Sequence, residues 1–157
     1  MKFRTTIIGM ALAAAGFAAP LSALADTATL SVTATVVGTC KVTTSTGTLA
    51  FGSLDPSSAT DGSGSSSDIQ FWCTKGAAYT ITDDNGLHEV GSQHRMQSDT
   101  LATAEYIPYN ISYTASGTGS GPSTPITLSV SGTVLNADYI NASADTYSDT
   151  VTFTITP

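Results

Sequence analysis

From residue 27 onward the chain keeps alternating apolar with polar residues, and a period of two confines it to β-structure. Ala28, Leu30, Val32, Ala34 and Val36 interleave with Thr29, Ser31, Thr33 and Thr35, as in a strand with one dry and one wet face. The same rhythm returns further on. Ile69, Phe71 and Cys73 share one face of residues 68–73, and Tyr79 and Ile81 are in phase within 77–82. Ile107, Tyr109, Ile111 and Tyr113 line one side of residues 107–113. Ile126, Leu128 and Val130 alternate within 126–135, and Val151, Phe153 and Ile155 alternate with threonines at the end of the sequence. Residues 48–51 are a short apolar segment stopped by Gly52. Asn85-Gly86 tolerates the positive φ angles of a tight hairpin turn. The Gly/Ser-rich stretches 57–67 and 116–123 read as long surface loops. Short strands with turn signals between them predict an all-β sandwich, and the alternation predicts antiparallel sheets with one buried face.

The first residues serve another purpose. Lys2 and Arg4 precede an apolar run from Ile7 to Ala19, and Ala23-Leu24-Ala25 follows it. This is the layout of a secretory signal peptide over residues 1–25. Its apolar run falls short of the ~20 residues of a membrane span, so stable membrane insertion is not expected. Removing these 25 of 157 residues leaves 132, one domain of ordinary size. Lys41, Lys75 and Arg95 then stand as the only strong bases against 12 acids, a net charge of −9. Nucleic-acid binders neutralise phosphates with clustered Lys and Arg. That class is excluded, and anionic membrane surfaces are disfavoured by the same sign.

Cys40 and Cys73 are the only cysteines. In an oxidising compartment an even count without metal-ligand spacing reads as one disulfide. Closing such a loop stabilises the fold by roughly 3.5–4 kcal/mol in the chain-entropy picture. Catalysis and metal binding find little support. A blue-copper site needs a Cys thiolate, two His and often Met; Cys73, His88, His94 and Met96 supply the types, but a disulfide would remove the thiolate. The two histidines read better as solvent-facing hairpin residues. Asp83, Asp84 and Glu89 fit no EF-hand spacing, and turn chemistry accounts for the Asp pair. No Gly-x-Ser-x-Gly elbow opens a helix. We expect no cofactor, no metal and no enzyme.

Two features are unusual. Residues 27–37 have the most regular strand pattern of the chain, although they follow directly on the expected cleavage site, where chains are usually loose. Fully extended, such a segment reaches about 36 Å, the length of a sandwich. The strand ending at Ile155 has no successor in the sequence, so one sheet edge is expected to lack a partner, an aggregation hazard unless covered. A strand from another molecule would cover it by β-augmentation. Periodicity cannot separate that from pairing within the chain, and taken alone it favours the latter.

Ordered motifs run through the whole mature chain. They are Gly38-Thr39-Cys40-Lys41-Val42, Leu49-Ala50-Phe51-Gly52 and Cys73-Thr74-Lys75-Gly76 with Tyr79-Thr80-Ile81, then Arg95-Met96, Ile107-Pro108-Tyr109-Asn110-Ile111 and Tyr147-Ser148-Asp149-Thr150-Val151. Their order and spacing resemble the spore coat protein U family, whose members include major pilins of archaic chaperone–usher pili. The resemblance implies an incomplete immunoglobulin-like β-sandwich over residues 39–157 that lacks its last strand, preceded by a donor-strand extension over 26–38. It further implies that Ala28, Leu30, Val32, Ala34 and Val36 enter a groove of an identical neighbour, beside an acceptor edge carrying Val151, Phe153 and Ile155. A periplasmic chaperone would lend a strand in transit, and an outer-membrane usher would exchange it. The product would be an extracellular head-to-tail homopolymer, used for surface attachment and biofilm formation. The alternative is a self-complete secreted sandwich acting as a binding module or adhesin. An exposed aromatic patch would favour it, but Trp72 is the only tryptophan.

Overall fold

The structure, a computed structural model, describes residues 25–157. The signal peptide expected over residues 1–25 therefore lies, apart from Ala25, outside the described residues. The chain divides into two units, Met1–Ala34 and Thr35–Pro157. In the first, residues 25–34 carry neither strand nor helix, and each is exposed.

The second unit is built from eleven short strands and one helical turn: β1 Cys40–Thr44, β2 Gly62–Ser66, β3 Gln70–Cys73, β4 Ala78–Asp83, β5 His94–Ser98, β6 Tyr106–Tyr113, β7 Ser116–Thr118, β8 Ile126–Thr127, β9 Val130–Val134, α1 Asn136–Tyr139, β10 Tyr147–Ser148 and β11 Phe153–Thr156. All pairings are antiparallel. One sheet has the order β10-β5-β6-β9-β2, and two three-stranded sheets have the orders β1-β3-β8 and β11-β4-β7. The period of two explains which residues form the core. Phe71 and Cys73 of β3 and Tyr79 and Ile81 of β4 are buried, and they pack with Leu128 and with Val130 of β9. Ile111 and Tyr113 of β6 lie against them, so both small sheets cover one face of the large one, an all-β sandwich of the immunoglobulin-like kind. At its other end Ile107, Tyr109, Val134 and Tyr139 form a second core, covered by Phe51, Leu54, Ala142 and Tyr147 rather than by a sheet.

Residues 27–37 carry no strand in the single chain and are all exposed. Alternation prepares an apolar face, but a strand also needs a partner for its backbone groups. The stretches 57–67 and 116–123 are not loops throughout: Gly62–Ser66 pairs with β9, and Ser116–Thr118 pairs with β4. Glycine is required in β2 because the chain crosses it closely. A Cβ at Gly64 would sit 2.5 Å from the carbonyl oxygen of Ala50. Asn85 and Gly86 do take positive φ, 60° and 87°, yet they close no two-residue hairpin. β4 pairs with β11 and β7, never with β5. Residues 126–135 split into β8 and β9, which belong to different sheets. His94 is buried, contrary to the solvent-facing expectation, with Nε2 3.1 Å from Asp83 Oδ1.

Candidate functional site

The last segment of the chain changes sheets. Among the described residues, β10 pairs only with β5 and β11 only with β4, so both are edge strands. Leu87 N–H donates to Thr150 O at 3.2 Å and Asp84 N–H to Thr152 O at 3.2 Å, while Thr152 N–H donates to Asp84 Oδ1 at 2.9 Å. Successive residues of a strand turn their N–H and C=O groups to opposite sides. The main-chain groups of Val151, Phe153 and Ile155 therefore face the side on which no strand of the described residues pairs.

Their side chains alternate in the other sense. Val151, Phe153 and Ile155 are half-buried along the core, Phe153 edge-on to Tyr113 with ring centroids 5.1 Å apart. Val151 and Phe153 line a cleft of about 420 Å³ together with Leu49, Phe51, Ile69 and Ile111. A second cleft of about 720 Å³ shares Leu49, Phe51, Met96 and Tyr147 and runs on past Leu54 and Ile107 to Ala144 and Asp145. The two make one apolar groove between residues 45–56 on one bank and 142–153 on the other. Ile155 lines neither cleft and packs against the first core.

Polar groups hold the far bank. Asp149 accepts from Tyr109 Oη at 2.7 Å and from Leu87 N–H at 3.0 Å. Asp83 accepts from Tyr113 Oη at 2.6 Å and from Asn85 N–H at 2.9 Å. Burial raises the Asp83 carboxyl, but the bonds from Tyr113, Asn85 and His94 outweigh it and hold the group below its ordinary value. Burial and the Asp83 contact push the Tyr113 phenol up to about 12. Tyr109 is raised too, by burial and then by its bond to Asp149. The turn at residues 83–87 is thereby clamped to the last strand. Beyond β10, Glu105 accepts from Ser143 N–H at 2.9 Å and Oγ at 2.7 Å, and Asp145 from Thr100 N–H at 2.9 Å and Oγ1 at 2.6 Å. These bonds fix the loop that forms the groove's outer end.

At the opposite end the disulfide joins Cys40 to Cys73, S–S 2.00 Å, across the first pair of the β1–β3 ladder. The Cys73 sulfur is thus no thiolate for copper. Thr74 Oγ1 donates to Val37 O at 3.2 Å and accepts from Thr39 N–H at 3.0 Å, tying the chain down from residue 37. Before that point Leu30 is 87% exposed, Val32 82% and Val36 83%, and Ala28 and Ala34 are exposed as well. Among the described residues, no three His, Cys, Asp or Glu side chains converge as a metal site would require, and no helix is long and apolar enough to cross a membrane.

Of the residues singled out in the sequence, the structure brings Val151 and Phe153 to the groove and sets Ile155 beside it. The groove residues the sequence reading missed are Leu49, Phe51, Leu54, Met96, Tyr109 and Tyr147. Leu49-Ala50-Phe51 does alternate, and that was the one available signal; an irregular segment that lies over glycines has no strand length to betray it.

Comparison with known proteins bears on the whole unit. The Spore Coat Protein U domain matches residues 26–154. No curated protein matches. Among solved structures, similarity is found to a chaperone–tip adhesion subunit pre-assembly complex (CsuC–CsuE) of the archaic chaperone–usher Csu pili of Acinetobacter baumannii, at 21% identity and a TM-score of 0.46. That match covers 77% of this chain and 40% of the other, so this chain spans well under half of its length. With the family match extending over nearly all of the residues that follow the expected signal peptide, the chain belongs to the Spore Coat Protein U domain family.

Proposed function

We propose that this protein is a non-enzymatic structural subunit of an extracellular chaperone–usher pilus, polymerised by donor-strand exchange. One observation carries the reading: an apolar groove lies open beside residues 142–153 and leads to the edge strand β11, where, among the described residues, the main-chain groups of Val151, Phe153 and Ile155 face a side without a partner strand. Such an edge invites a strand. Residues 27–37 have the pattern of one, carry no strand and are exposed. In this reading the sandwich is a strand short. Ala28, Leu30, Val32, Ala34 and Val36 of the next copy fill the groove and supply the missing ladder. Burying their side chains contributes on the order of 5–10 kcal/mol, before ladder hydrogen bonds.

Donor and groove are different surfaces of one molecule, so the contact is head-to-tail and grows an open filament. A periplasmic chaperone would cover the groove before assembly, and an outer-membrane usher would be the place of exchange. Surface attachment and biofilm formation are the use such a fibre would serve. Deleting residues 27–37 tests the reading: the deletion is expected to leave a folded monomer that forms no filaments in electron micrographs, and filaments from it would overturn the donor role.

A further inference from the structure

Of the three strong bases in residues 25–157, Lys41 and Lys75 lie at one end of the sandwich, whereas Arg95 stacks on Tyr106, beside Glu105, near the other. At the disulfide end lie the start of β1, the turn after β3, the end of β7 and the end of β11. Gly76 N–H bonds Gly119 O at 2.9 Å, and Gly121 N–H bonds Cys73 O at 3.0 Å. Lys41 and Lys75 are both here and exposed, and no Asp or Glu occurs in residues 38–44, 70–78 or 116–127. At the other end, the connections from β5 to β6 and from β9 to β10 carry Asp99, Glu105, Asp138 and Asp145. The last of these lines the mouth of the groove. Three of them accept hydrogen bonds from uncharged groups, Asp99 from Ser148, Glu105 from Ser143 and Asp145 from Thr100. Among the described residues the one contact between a basic side chain and a carboxylate is His94–Asp83, at neither end.

The connecting chain is short. The body holds the chain from Val37, through Thr74, at the lysine end, and the last apolar donor position is Val36. A residue or two of extended chain spans only about 3.3–7 Å, below the ~8 Å screening length at physiological salt. Whichever end of a neighbour's groove the donor leaves by must therefore lie against the lysine end of the donor's own body. Insertion parallel to β11 would bring two lysine ends together. Insertion antiparallel to β11 brings the lysine end onto the carboxylate end.

We infer that successive copies also meet end to end, with Lys41 and Lys75 of one copy docked on the carboxylate end around Asp145 of the next, a meeting that a donor antiparallel to β11 allows. This contact rests on the donor-strand reading and adds a salt-sensitive interface to it. It steers the incoming copy into the one orientation in which its apolar side chains reach the groove.

The test follows assembly of the purified mature chain by light scattering. Lys41→Glu with Lys75→Glu touches exposed side chains only, and an unchanged melting temperature checks the fold. Assembly is expected to slow by about fivefold or more at low ionic strength, with the gap closing in 1 M salt. Ala102→Lys with Ala104→Lys, on the exposed loop beside Glu105, leaves the internal carboxylate bonds intact and is expected to slow assembly likewise. Combining both pairs of substitutions restores the rate. Wild-type rates for the lysine variant at low salt, or no restoration in the combination, overturn the inference. Val32→Asp run alongside distinguishes the two levels. If it is blocked while the lysine variant assembles normally, only the end-to-end contact falls; if it also assembles normally, the donor-strand reading falls with it.

Discussion

Replacing Val32 by Asp puts a charge on the middle of the exposed apolar row and leaves the folded unit untouched. Val32 is 82% exposed and belongs to no strand, so the monomer should melt at the wild-type temperature. Assembly responds differently. Burying a valine contributes roughly 1.5 kcal/mol or more, and that is lost. Bringing a carboxylate into an apolar groove costs several kcal/mol more, through desolvation or forced protonation. The sum is about 4–5 kcal/mol, some three orders of magnitude in the affinity of one copy for the next. Thr33→Asp is the control, because in the proposed donor strand its side chain would face away from the groove. Sedimentation of the two variants, beside their melting curves, reads the effect. The account expects monomeric Val32→Asp and polymeric Thr33→Asp with equal melting temperatures. Equal assembly of both variants would refute the reasoning, because it would mean the alternating face is not what the neighbour binds.

Asp149→Ala leaves the Tyr109 hydroxyl and Leu87 N–H without their acceptor, which should destabilise the fold by about 1–3 kcal/mol, seen as a lower urea midpoint; an unchanged midpoint would show that the clamp on the last strand is dispensable. Asp83 and Asp84 have folded-state values below the ordinary 3.8, so their contribution is complete above that pH and is lost as pH falls through the lowered values; stability that did not decline below pH 4 would contradict this. The Tyr113 phenol, raised from 10.0 to about 12, contributes below pH 10 and loses that contribution as pH rises towards 12, which Tyr113→Phe should abolish in alkaline melting curves. Cys40→Ser removes the loop constraint, worth roughly 3.5–4 kcal/mol in the entropy model, and should lower both melting temperature and exported yield.

Much of the sandwich was legible because a strand buried on one face carries its own signature. Phe71, Tyr79, Ile107, Tyr109, Leu128 and Val130 are buried where the period of two puts them. Two of the strands that escaped notice have no apolar face to display. β2 is Gly-Ser-Gly-Ser-Ser, and β7 is Ser-Gly-Thr, and both exist because a neighbouring strand offers hydrogen bonds. β5, His94–Ser98, presents polar residues on both faces; His94 is buried because Asp83 and Tyr109 await it, and only tertiary structure says so. Asn85-Gly86 announced its positive φ but not where the chain goes next. The groove was half legible: Val151, Phe153 and Ile155 mark an edge, but its other bank is the irregular segment at Leu49, Phe51 and Leu54, positioned by contacts remote in sequence. Residues 27–37 are the sharpest case. Their alternation specifies a dry face and leaves open which molecule supplies the surface that covers it.

An electron cryomicroscopy map of assembled filaments bears most directly on whether each sandwich is completed by the copy beside it. The account requires residues 28–36 of one copy as a strand next to β11 of its neighbour, with Leu30 and Val32 inside the groove walled by Phe51 and Phe153. A map showing that segment folded back onto its own sandwich, or the groove vacant between copies joined elsewhere, would contradict it.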